Sequence, residues 1–103
     1  MSYKPTKAMM QEARKGLDWK TQGHKGGTII GLTRARQIVR GSNLSESTVK
    51  RMYSFFRRHE VDKDAQGFYP GNNYPSPGRV AWALWGGDAG YEWSSQIRNK
   101  LNG

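Results

Sequence analysis

The chain has 103 residues, a formal net charge of +9, no cysteine and only 35% hydrophobic residues. That length predicts one domain around a single modest core and leaves no room for the second domain of a larger multi-substrate enzyme. There is no disulfide framework or thiolate zinc site, the two histidines stand 35 positions apart, and no apolar run suits a membrane span or signal-peptide core, so a place in a cytosol or in a particle assembled there is expected.

Apolar spacing is helical throughout, and no stretch of four or more residues alternates as a half-buried strand would, which predicts an all-α fold of about five short helices. The first helix is expected from Thr6 as N-cap to about Lys20, with Met9, Ala13 and Leu17 at steps of four. Gly23, Gly26 and Gly27 break it. A second helix starts between Thr28 and Thr33, turns Leu32, Ala35, Ile38 and Val39 inward and stops at Gly41. Arg34, Arg36 and Arg40 are assigned to its outer face. Ser45 caps the third helix, with Leu44 and Val49 as a hydrophobic staple, and the helix runs to about His59. Val49, Met52, Tyr53 and Phe56 form its apolar face, and Lys50, Ser54, Arg57 and Arg58 the opposite one. Residues 61–75 are rich in Gly, Pro and Asn and are read as one long loop. Ser76 caps a fourth helix with Pro77 at its first position, Val80, Ala81, Leu84 and Trp85 turn inward, and Gly86-Gly87 ends it. Asp88 is assigned as cap of the last helix, whose core stripe is Trp93, Ile97 and Leu101.

Charge is unevenly spread along this order. Residues 1–60 carry 13 Lys and Arg against four acids, whereas 61–103 carry four of each. Between 20 and 58 stand nine bases, Lys20, Lys25, Arg34, Arg36, Arg40, Lys50, Arg51, Arg57 and Arg58, against Glu46 alone. Aromatics run the other way, with seven of the twelve between Phe68 and Trp93. The chain therefore divides into a basic helical half, a loop and an aromatic helical half.

Four constellations carry possible chemistry. Leu32 to Arg58 has the outline of a helix-turn-helix: two helices, a Gly41-Ser42-Asn43 turn and a more basic second helix. Ser45, Glu46, Ser47, Lys50 and Arg51 would lie toward bases, and Arg40, Arg57 and Arg58 toward phosphates. The 14 positions from Ala35 to Val49 exceed the compact motif, so a helical hairpin with a solvated basic face stays open as the alternative. Gly23 to Thr28 lacks the order of a nucleotide-binding loop; a flexible connector is the favoured reading, with a phosphate contact through Lys25 as the other. His59, Glu60, Asp62 and Asp64 suggest acid–base or cation chemistry only weakly, and a structural role is favoured: His59 capping the helix end, with Glu60 or Asp62 paired to an arginine. Of the aromatics, Trp85 and Trp93 fit the core, with Gly86, Gly87 and Gly90 letting helix ends approach. Trp82, Tyr69 and Tyr74 are the uncommitted rings that could stack on unpaired bases.

Three strings together, Gly26-Gly27-Thr28 with Arg34-Ala35-Arg36, Thr48-Val49-Lys50-Arg51-Met52 through Arg58-His59-Glu60-Val61-Asp62-Lys63, and Ala81-Trp82-Ala83-Leu84-Trp85-Gly86-Gly87-Asp88-Ala89-Gly90, resemble short proteins and protein modules of tailed bacteriophages and prophages. The similarity covers roughly residues 5–95. It brings no catalytic residues, and it implies either a DNA-associated protein or a small virion or assembly component, in the host cytoplasm or the virion.

The expectation is thus a non-enzymatic protein without metal or cofactor that binds nucleic acid, foremost duplex DNA, mainly through phosphates. The residues assigned to that surface are Lys25, Arg34, Arg36, Arg40, Ser47, Lys50, Arg51, Arg57 and Arg58. The alternative is a virion structural or host-interaction protein that docks its basic face on an acidic protein surface.

Overall fold

Hydroxyl side chains set the helix starts. Thr6, Thr28, Ser45 and Ser76 each accept a hydrogen bond from the backbone N–H three residues on, at 3.1–3.2 Å, replacing the carbonyl that a first turn lacks. The computed structural model, which describes residues 2–102, accordingly contains α1 (Lys7–Thr21), α2 (Ile29–Val39), α3 (Glu46–His59), α4 (Pro77–Leu84) and α5 (Gly87–Asn102). It is a small all-α bundle, as expected. Two two-residue strands, β1 (Ser2–Tyr3) and β2 (Leu44–Ser45), pair antiparallel and tie the N-terminal segment to the start of α3.

Helix α1 is the central support, packed on α2, α4 and α5. Its approach to α4 depends on Gly16, where a Cβ would stand 2.9 Å from the Leu84 backbone nitrogen. Helix α3 lies mainly on α5, where Gly90 meets the Phe56 ring and Ser94 is fully buried. These two small residues, one turn apart, belong to the fully buried strip of α5. Trp93, Ile97 and Leu101, expected as a core stripe, are therefore only half-buried.

Helices α2 and α3 follow one another, but each finds its main partners elsewhere: α2 on α1 and α4, α3 on α5. The order of a helix-turn-helix is present without its compact interface. The cause lies in the connection, because Leu44 is buried and paired with Tyr3, which diverts the chain into a strand before α3 begins. The expected loop is also shorter than 61–75. Residues Glu60–Asp64 form a 3-10 helix, supported by a 3.1 Å bond between His59 Nδ1 and Asp62 Oδ2. His59 is thus bonded to an acid rather than to the last carbonyls, and Glu60 accepts from the Tyr91 hydroxyl at 3.3 Å.

Trp82 is the largest fully buried side chain. Rings of Phe56, Phe68 and Tyr91 meet it edge-on at 4.8–5.8 Å, which removes it from the candidate stacking rings. Its indole N–H donates to Asp88 Oδ1 at 2.9 Å, and Lys63 both covers the ring face, 4.9 Å from its centroid, and reaches Asp88 at 3.0 Å. Asp88 consequently serves as acceptor for Trp82 and not as the cap of α5, which begins one residue earlier at Gly87. Tyr69 is 61% exposed, while Tyr74 packs edge-on against Trp19 at 5.5 Å.

Burial alone would raise the Asp88 carboxyl; the bonds from Lys63 and Trp82, with the charges of Lys63 and Arg79, outweigh it and hold the group below the usual carboxylate range. A depressed carboxyl contributes stability that is present above its unfolded-state pKa of about 3.9 and lost as pH falls through the folded value. Replacing Asp88 by Asn should therefore lower the urea midpoint near neutrality and flatten its fall below about pH 4. Identical midpoint-versus-pH curves for the two proteins would contradict this role.

Candidate nucleic-acid interface

At 100° per residue, Ser47, Lys50, Arg51, Ser54, Arg57 and Arg58 fall within an arc of about 120° on α3, opposite Val49, Met52, Phe55 and Phe56. All six are exposed, and the four opposite are buried. Glu46 is the only acid on the helix and sits at its start, 3.2 Å from Lys50. Ser45 is committed to capping, whereas Ser47 is exposed in the first turn.

Four of the predicted residues, Lys25, Arg34, Arg36 and Arg40, lie outside α3. Arg36 and Arg40 are exposed on the outward side of α2, and Lys25 is exposed in the turn before it. Arg57 lies at the α5 edge of α3, beside Tyr53, Tyr91 and Glu60, which hold its guanidinium still more firmly protonated. Arg34 departs most from expectation, being only 7% exposed. Its guanidinium lies over the Trp85 ring, 5.4 Å from the centroid, and Nη1 donates to Gln37 Oε1 at 2.6 Å, while Nε is buried without a partner. Burial and the nearby charge of Arg51 lower its pKa. The helical phase explains this placement, since Arg34 stands one turn from Ile38 and next to Ala35, both fully buried.

Three of the predicted cations, Lys50, Arg51 and Arg58, instead line a cleft of about 690 Å³. Phe55, Trp85 and Ala81 contribute apolar surface to it, Ser54 and His59 complete the α3 side, and Gly27, Thr28 and Ile30 contribute the α2 side. The glycine-rich turn is thus built into the fold instead of being a loose connector. Gly26 adopts φ +122° with the Pro77 carbonyl where a Cβ would stand, a conformation and an approach that only glycine allows.

Phe55 is the candidate that periodicity missed, and His59, favoured in the sequence for a structural role, lines the cleft with it. Phe55 stands three residues after Met52 and belongs to the same apolar arc, while His59 stacks on it at 4.5 Å. Ile29 and Ile30, 81% and 60% exposed, are an unusual apolar pair in the first turn of a surface helix. A second cavity of about 470 Å³ lies between α1 and the loop, bordered by Phe68, Tyr69 and Tyr74. Its charges are already engaged: Glu12 with Arg79 and Lys15 at 2.8 and 3.2 Å, and Asp88 as described. No group of three or more His, Cys, Asp or Glu among the described residues is placed to hold a metal ion.

No protein-family model, curated protein or solved structure matches the chain.

A buried arginine with one unbonded nitrogen, facing a second arginine, contributes little to stability. Arg34→Met keeps an unbranched apolar stem, shorter than the arginine, and brings a polarizable sulfur toward Trp85. Its urea midpoint should equal or exceed the parent's, with the gain larger at low salt, where the repulsion from Arg51 is least screened. A loss of more than about 1.5 kcal/mol would show that the guanidinium is a structural tie whose removal leaves a costly defect.

Proposed function

We propose that the protein binds nucleic acid, with duplex DNA as the principal ligand, through phosphate contacts from the outer face of α3. The observation that carries this reading is the arc itself: Lys50, Arg51, Arg57 and Arg58 exposed along one helix whose other side is locked into the core. Such a face attracts the phosphate backbone by charge and by counterion release, with little dependence on sequence. The arc has no Asn or Gln for bidentate base reading, and its acid is paired to Lys50, so phosphate positioning dominates over direct readout. A phage or prophage setting for this activity is part of the proposal and rests on the three sequence strings alone.

The exposed Ile29–Ile30 pair beside the cleft favours a second reading. In it the basic face docks on an acidic protein surface of a virion or host protein, with the isoleucines as its apolar anchor.

Salt dependence and charge reversal test the two together. If the four α3 cations each touch a phosphate, log K should fall against log salt with a slope of about −3.5, steeper where Lys25, Arg36 or Arg40 join. Changing Lys50, Arg57 and Arg58 to Glu should abolish binding while the circular dichroism spectrum is unchanged. Absence of affinity at low salt, or a slope near zero, would discard the nucleic-acid reading and leave the protein-docking one.

A further inference from the structure

We propose that the cleft beside α3 receives one unpaired nucleobase, so that the protein holds duplex DNA carrying a bulged or locally opened base more tightly than fully paired duplex. The proposal rests on the nucleic-acid reading above and adds the form of nucleic acid that the site selects.

A column of rings lies along the cleft. Trp85 stacks on Phe55 at 4.6 Å and 10°, and Phe55 stacks on His59 at 4.5 Å and 29°. Phe55 and Trp85 are each 7% exposed, whereas the His59 side chain, at the end of the column, is 42% exposed. Lys50, Arg51 and Arg58 edge the same space, and no carboxylate lines it. The acid nearest to His59, Asp62, is occupied by Nδ1 at 3.1 Å.

The half-exposed His59 ring that ends the column, beside the exposed cations Arg51 and Arg58 and the Glu46-paired Lys50, fits a ligand with a flat apolar body and negative charge at its margin. An unpaired nucleotide has both, because base stacking on aromatic side chains is tolerant of sequence and the backbone supplies the anions. Lys50 to Arg58 spans eight residues, about 12 Å along the helix, enough to serve the phosphates on either side of one base. The volume lies within the range of small-ligand sites. An amphipathic peptide helix would need an apolar trough extending over several turns, whereas the apolar lining here is confined to Ile30, Phe55, Ala81 and Trp85.

Fluorescence anisotropy of the full chain at fixed salt provides the test. It uses three labelled duplexes of equal length: one fully paired, one with a single unpaired thymine, and one in which that position is abasic. The thymine bulge should bind at least fivefold more tightly than the paired duplex, the lower end of what stacking one base contributes. Removing the base should cancel the gain. His59→Ala, which shortens the ring column, and Ser54→Leu, which narrows the cleft, should each bring the ratio of bulged to paired affinity toward one, with circular dichroism reporting that both remain folded. Equal affinity for bulged and paired DNA would overturn the cleft proposal and leave phosphate binding standing. An abasic bulge as tight as the thymine bulge would overturn it too, by assigning the preference to backbone flexibility. Loss of all three affinities would end both readings, and an acidic amphipathic peptide that bound in their place would assign the cleft to a protein partner.

Discussion

The fold depends on the complete burial of one indole in a chain with little apolar material. Trp82 gathers Phe56 from α3, Phe68 from the loop and Tyr91 from α5 around a helix of only eight residues, too short to be stable alone in water. Its single polar atom is satisfied by Asp88, which avoids the penalty of an unbonded buried N–H. Lys63 couples the same carboxylate to the ring face. One interaction thereby fixes α4, the start of α5 and the 3-10 segment after α3.

Function follows from what this arrangement does to α3. Its inner side is held by the aromatic cluster, so its rotation about its own axis is set, and the cations of the opposite arc are left exposed. The net charge of +9 opposes compaction through self-repulsion. It is tolerated where it is spread over an exposed helix face and becomes awkward where packing draws it in, as at Arg34. The unbonded Nε of that residue marks a place where the helical phase of α2 overrode the preference of a guanidinium for water. The same phase leaves Ile29 and Ile30 outside.

Helix starts were legible in the sequence because caps are local: Thr6, Ser45 and Ser76 satisfy nearby N–H groups whatever the rest of the chain does. The amphipathic nature of α3 was legible for the same reason, as its periodicity separates charge from apolar residues within one element. Features that require knowledge of a distant partner were not. The β1–β2 pairing is two residues long, below any alternation pattern. The burial of Trp82 depends on rings from three other segments, and α5 turns Gly90 and Ser94 inward, which leaves its expected stripe half-buried. Phe55 and its i,i+4 neighbour His59 could have been found from spacing alone, but the stacking of Phe55 on Trp85, and so the cleft, arises only when α3 and α4 meet. The order of α2 and α3 suggested a helix-turn-helix; the strand inserted between them sent each to a different partner.

The central claim is that the nucleic-acid surface is the outer arc of α3. Amide chemical-shift mapping during titration with DNA tests it most directly, since it locates the contact without altering the protein. The account expects the largest perturbations at residues 47–58 and at 27–30 across the cleft, with the outer sides of α1 and α5 unaffected. Perturbations centred on α5, on the Tyr69–Tyr74 loop or nowhere would contradict it.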